Sequence, residues 1–268
     1  MTRKQRREQG RLQRRALEQA EAARTLRRKR LRLLGIISAL VACGTVLVLI
    51  VSAGASKKLT PGSAQSRAAV SDVTTLLRGV PQGGNVLGRA TAPVTLQYFG
   101  DLQCPVCRSF STQALPSIVA KWVRAGKLRV EYRSLQTATR DPEVFAAQQL
   151  AALAAGKQGK LWNFVETFYR EQGEEGSGYV TEGFIEQVAR QVPGLDLSRW
   201  ASDRGNPALA GQVVSDAQAA SASGLGGTPA FLIGISDGQM GRLEPSSFSD
   251  SASFDQAIAR LVHSTSRP

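Results

Sequence analysis

The sequence predicts an α/β domain in which a strand–helix–strand unit, a helical block and a final strand–strand–helix follow one another, preceded by one transmembrane helix. Three observations carry that prediction: an uncharged run of 23 residues near the N-terminus, a buried-strand pattern that ends on a pair of cysteines, and a second strand pattern far down the chain. With 268 residues, 42% of them apolar, the chain has enough material for a full hydrophobic core.

Residues 1–32 hold 13 Lys and Arg against 3 Asp and Glu, and they run straight into LLGIISALVACGTVLVLIVSAGA, residues 33–55. A run of that length spans a bilayer as one helix. The positive charge on its N-terminal side keeps residues 1–32 in the cytoplasm as a basic tail and sends everything after Ser56 outside. The formal charge of +13 belongs mostly to this tail, because the rest of the chain carries 21 basic and 18 acidic groups. It therefore reads as a topology determinant that touches anionic lipid head groups, and no nucleic acid is expected as a partner. Cys43, in Leu40-Val41-Ala42-Cys43, fits the lipobox at which bacterial lipoproteins are acylated. Apolar character continues over residues 46–51, where such a signal should turn polar, so an uncleaved anchor is the better reading.

Residues 56–80 are small and polar around Pro61-Gly62, with a hint of helix at residues 70–77, and are expected to be a linker into a domain at residues 81–268. PVTLQYF at 93–99 mixes β-branched, apolar and aromatic residues and ends at Gly100-Asp101, which predicts a buried strand and its turn. Val106, Phe110, Ala114, Ile118 and Trp122 then recur every four residues, predicting an amphipathic helix over 104–125 that Pro116 should kink and Gly126 should close. KLRVEYRSL at 127–135 alternates as a second strand. From residue 142 to about 223 the pattern is helical throughout. Strand character returns at residues 229–233, followed by a turn at Asp237-Gly238, a short partner strand near 239–243 and a helix over 253–263.

The pair Cys104-Pro105-Val106-Cys107 opens the first helix directly after a strand. There the first sulfur meets outward-pointing N–H groups and a helix dipole that favours negative charge, so Cys104 is the expected thiolate nucleophile. Cys107, one turn deeper, is the expected resolving thiol. Pro105 suits the first helical turn, where its missing N–H costs nothing. A zinc site would need four ligands, and beyond this pair the chain offers only Cys43 and His263, so no metal is expected within one chain. A purely structural bridge across two residues would close almost no loop and stabilise little. The strand before the pair offers Thr95, Gln97 and Tyr98 but no carboxylate, and Asp101 reads as a turn cap rather than a proton carrier.

Together, APVTLQYFGDLQCPVC at 92–107 and GGTPAFLIG at 226–234 resemble the DsbA-like branch of the thioredoxin superfamily, across residues 80–263. The resemblance implies a thioredoxin-like fold with an inserted helical subdomain at about 142–223, and a thiol:disulfide oxidoreductase needing no cofactor beyond its redox-active cysteine pair. It makes Pro229 the cis-proline beside the cysteines and Thr228 the residue whose backbone meets an extended substrate. It further implies unfolded or reduced exported proteins as substrates, and a quinone-linked membrane reoxidant of the DsbB or vitamin K epoxide reductase type. Donation of disulfides is the preferred direction. Val106, where the best-known oxidases of the family have histidine, has a side chain that adds neither hydrogen bond nor charge at Cys104, and a reductase or isomerase stands beside that reading. So does a non-enzymatic, membrane-tethered chaperone or scaffold.

Overall fold

A computed structural model of the chain describes residues 63–265, so the predicted basic tail, the transmembrane helix at 33–55 and Cys43 lie outside the described residues. Among the described residues no helix is long and apolar enough to cross a membrane.

Helix α1, Ala64–Leu77, corrects the linker expected over 56–80. Ala69, Val73 and Leu77, four residues apart, turn one buried stripe toward the core, while the exposed face is small and polar and therefore reads as linker. Ser63 caps its start, accepting from the Ser66 N–H at 3.1 Å. At its other end the Arg124 guanidinium donates to the carbonyl oxygens of Thr75, Leu76 and Arg78, groups that a helix C-terminus leaves without intrahelical partners.

Six strands form one sheet in the order β1 (Gln82–Gly83), β2 (Val86–Leu87), β4 (Leu128–Ser134), β3 (Val94–Gly100), β5 (Ala230–Ile235), β6 (Met240–Leu243). β3 and β4 are parallel and every other pair is antiparallel. The turn between β5 and β6 falls at Asp237-Gly238, with Asp237 at φ 64° and the Gly238 N–H bonded to the Ile235 carbonyl. Strands β1 and β2 are two residues each, too short to show a period, and were not foreseen from sequence.

Between β3 and β4 runs helix α2, residues 105–123, in which ordinary turns at Pro105–Ser109 and Leu115–Ile118 alternate with wider π-type turns at Phe110–Ala114 and Val119–Val123. Pro116 explains the first widening: it has no N–H for the Thr112 carbonyl and its ring would crowd it. Leu115 N–H instead reaches back to the Phe110 carbonyl. The expected kink is thus absorbed as a bulge. Gly126, at φ +69°, ends the segment in the left-handed conformation that a residue without Cβ adopts cheaply.

The helical block comprises α3 (Pro142–Gly156), α4 (Leu161–Glu171), α5 (Glu182–Arg190), α6 (Leu197–Asp203) and α7 (Pro207–Ala222), and α8 (Ala252–Thr265) closes the domain. Strand alternation divides the two sides of the sheet. Leu96, Tyr98, Val130, Tyr132 and Phe231 join α2, α4 and α8 in the main core, where Phe110, Phe231 and Phe254 pack with ring centroids 4.8–5.4 Å apart. Phe99 and Leu232 pack on the opposite side with Ala220 of α7. That side also holds an ion-pair ladder, Arg129–Glu131–Arg133–Asp216.

Candidate active site

Everything at the site hangs from the C-terminal end of β3. Gly100 ends the strand because nothing larger fits: a Cβ there would stand 2.9 Å from the Tyr169 hydroxyl and 3.0 Å from ring atoms of Tyr132 and Tyr98. The chain then turns through Asp101, Leu102 and Gln103, and the Cys104 N–H closes the turn on the Asp101 carbonyl at 3.0 Å. Cys104 is the N-cap of α2 and Pro105 its first residue. From the end of α4, the Gln172 amide donates to the carbonyls of Leu102 and Cys104 at 2.8 and 3.1 Å, pinning the loop from beneath.

Asp101 does far more than cap this turn. Its carboxylate is fully buried and accepts six hydrogen bonds: from the N–H groups of Gln103, Thr137, Ala138 and Thr139, the Thr139 hydroxyl and the Gln148 amide. These distances run from 2.6 to 3.3 Å. One side chain thereby fastens the loop after β4 to the cysteine loop, and Thr137 on that loop hydrogen-bonds, hydroxyl to hydroxyl, to Thr228. The turn-cap reading caught the Gln103 bond. The other five come from residues 36 to 47 positions away, which no local pattern announces.

The Thr228–Pro229 peptide bond is cis and lies against Cys104. Cys104 Sγ donates to the Thr228 carbonyl oxygen at 3.3 Å, bringing together the residues at 104 and 228. Both cysteines are free thiols, but their surroundings differ. Cys104 is 6% exposed, and its pKa is lowered to about 6, first by hydrogen bonding from Cys107, against burial, and then by Thr228 and the N–H groups of Cys107 and Val106. Cys107 is wholly buried, and burial, followed by the neighbouring Cys104, pushes its thiol well above the ordinary value. Val106, 42% exposed, stands at the rim. His263, on the far helix, is exposed and hydrogen-bonds the Ala259 carbonyl, well within the expectation of a surface residue.

The family model described as Thioredoxin matches residues 81–240. The chain belongs to the thioredoxin family. Among curated proteins it is similar to the probable disulfide bond formation protein D of Bacillus cereus, at 25% identity over 150 residues, covering 55% of this chain and 68% of that protein. Among solved structures it shares its fold with oxidised BdbD from Bacillus subtilis, with a TM-score of 0.57 and 21% identity over 69% of this chain and 97% of that one. α-DsbA1 of Wolbachia pipientis gives a TM-score of 0.56 and 18% identity over 70% of this chain and 93% of that one. The chain is a thiol:disulfide oxidoreductase of the DsbA-like kind.

Proposed function

We propose that the domain acts outside the cytoplasm, anchored by the apolar run at 33–55, and donates disulfides to reduced exported proteins through Cys104 and Cys107. The contact that carries this reading is the Cys104 sulfur against the Thr228 carbonyl, beside a cis-proline. A substrate thiolate attacks Cys104 Sγ of the oxidised pair, the bond to Cys107 breaks, and Cys107 leaves with the electron pair. A second substrate thiolate then attacks the substrate sulfur of the mixed disulfide and displaces Cys104, whose low pKa makes it a good leaving group. Thr228 and Pro229 hold the substrate backbone in extended form meanwhile. A cavity of about 460 Å³ beside them, lined by Leu225, Phe231, Leu243 and Phe248 among others, receives an apolar side chain of the substrate. Reoxidation of the dithiol falls to a quinone-linked membrane protein of the DsbB or vitamin K epoxide reductase type.

Val106 sets the strength of the oxidant. Relative to a thioredoxin-like thiol of pKa near 7, a Cys104 pKa of about 6 stabilises the reduced form at neutral pH by at most about one pK unit, or ~30 mV before solvent screening. The protein is therefore expected to be a mild oxidant, somewhat above the roughly −270 mV of thioredoxin and well below the roughly −120 mV of DsbA. Equilibrating the chain with glutathione tests this. A potential at or below about −270 mV reverses the proposed direction and makes the protein a reductase.

A further inference from the structure

Three buried phenols beneath the cysteines have no part in the exchange as described. Tyr98, Tyr132 and Tyr169 are at most 1% exposed and crowd around Gly100. The hydroxyls of Tyr98 and Tyr169 are 2.8 Å apart, with either one able to donate, and the Tyr169 hydroxyl lies 3.3 Å from the Asp101 carbonyl oxygen. Tyr98 packs its ring against Phe110, with centroids 4.8 Å apart, one turn past Cys107. Cys107 lies in the same buried cluster, and Tyr98 and Cys107 act electrostatically on one another.

Given thiol–disulfide exchange as proposed above, a thiolate forms at Cys107 whichever way electrons flow. In the donating direction Cys107 leaves as an anion when the bond to Cys104 breaks. In the reverse direction the Cys107 thiolate attacks Cys104 Sγ and a substrate thiolate leaves. Over the donating half-step the proton lost by the incoming thiol to water is matched by one that Cys107 gains. Between those events its charge sits in a site closed to solvent.

We propose that the Tyr98 and Tyr169 hydroxyls form a reversible hydrogen-bond chain that serves the Cys107 sulfur as thiol and as thiolate. While Cys107 is a thiol, Tyr98 donates to Tyr169 and Tyr169 donates to the Asp101 carbonyl. When the thiolate appears, both O–H groups turn over: Tyr98 donates to the sulfur, Tyr169 donates to the Tyr98 oxygen, and the Asp101 carbonyl is released. A hydroxyl can do this because it both donates and accepts, whereas an ionised carboxylate only accepts. Burial holds both phenols well above their ordinary pKa, so they keep their protons throughout. Besides these two, the ionisable groups that bear on Cys107 are Cys104 and Tyr132. In this scheme Tyr98 serves the reacting sulfur directly as a catalytic residue, while Tyr169 acts through it as a positioning residue.

The test starts from a mixed disulfide between Cys104 of the full chain and a fluorescent peptide thiol, and follows release of the peptide by Cys107 across pH. Tyr98→Phe removes one oxygen and keeps the ring packing; release should slow about tenfold, the effect of one hydrogen bond to a charged group, and its pH midpoint should rise by about one unit. Tyr169→Phe should shift both in the same direction by less, and it carries the test if Tyr98→Phe does not fold. Tyr179→Phe, which removes a buried phenol oxygen outside the chain, should leave rate and midpoint unchanged. Folded Tyr98→Phe protein with the wild-type midpoint, whatever its rate, overturns the proposal. Failure of the wild-type chain to release the peptide overturns the exchange reading itself.

Discussion

Two sulfurs three residues apart live in opposite chemical worlds. Cys104 caps a helix at the rim, with N–H groups, a neighbouring thiol and the Thr228 side chain around it, and each of these favours its anion. Cys107 lies one turn deeper, over Tyr98 and Phe110 in the dry aromatic layer, where burial disfavours the anion. The difference is made by position alone, since the side chains are identical. On the exchange proposed above, the strand–helix junction divides labour between a nucleophile that is ready and a partner that ionises only within the reaction.

Removing either sulfur breaks the contrast outright. Cys104→Ser should reduce oxidation of a reduced test protein to background, and Cys107→Ser, offered a test peptide that carries a disulfide, should attack it through Cys104 and accumulate a mixed disulfide that gel electrophoresis without reductant detects. Undiminished turnover in Cys104→Ser would show that Cys104 does not carry the exchange. Next in size is loss of the buried clamp that holds the rim together. Asp101→Ala strands donors of the loop at residues 137–139 and frees Thr137 from Thr228, so thermal melting should report a loss of about 3 kcal/mol.

Val106→His sharpens the contrast. A histidine at this exposed rim position brings a donor and partial positive charge to Cys104. Its pKa should fall by about one unit and the potential rise by ~30 mV, as read by equilibration with glutathione. A further effect is on pH dependence. The folded pKa of Cys104, about 6, lies below its ordinary 9.0, so its contribution to the stability of the reduced form is absent below pH 6, grows between the two values and is full above the upper one. The melting temperature of the reduced form should therefore gain on that of the oxidised form as pH rises from about 6 to 9.

Much of this architecture is written in local pattern. The alternation in β4, the four-residue stripe of α2, and the cysteines placed between strand and helix are all set by neighbours in sequence, and the resemblance supplied the pairing of Cys104 with Thr228 and Pro229. What escaped is long-range or too short. Helix α1 hides because its exposed face is small and polar, and β1 and β2 hold two residues each. Asp101 looked like a turn residue because five of its six hydrogen bonds come from residues far along the chain. Tyr98 was visible as a polar group on the strand, yet its meeting with Tyr169 depends on a contact 71 residues apart.

The division of labour between the two sulfurs is tested most directly by alkylating the reduced full chain with iodoacetamide across pH and locating the label by mass spectrometry. Of the pair Cys104 and Cys107, label on Cys104 alone with a midpoint near pH 6 is the expected result. A midpoint near the ordinary 9.0, or label appearing first on Cys107, would contradict it.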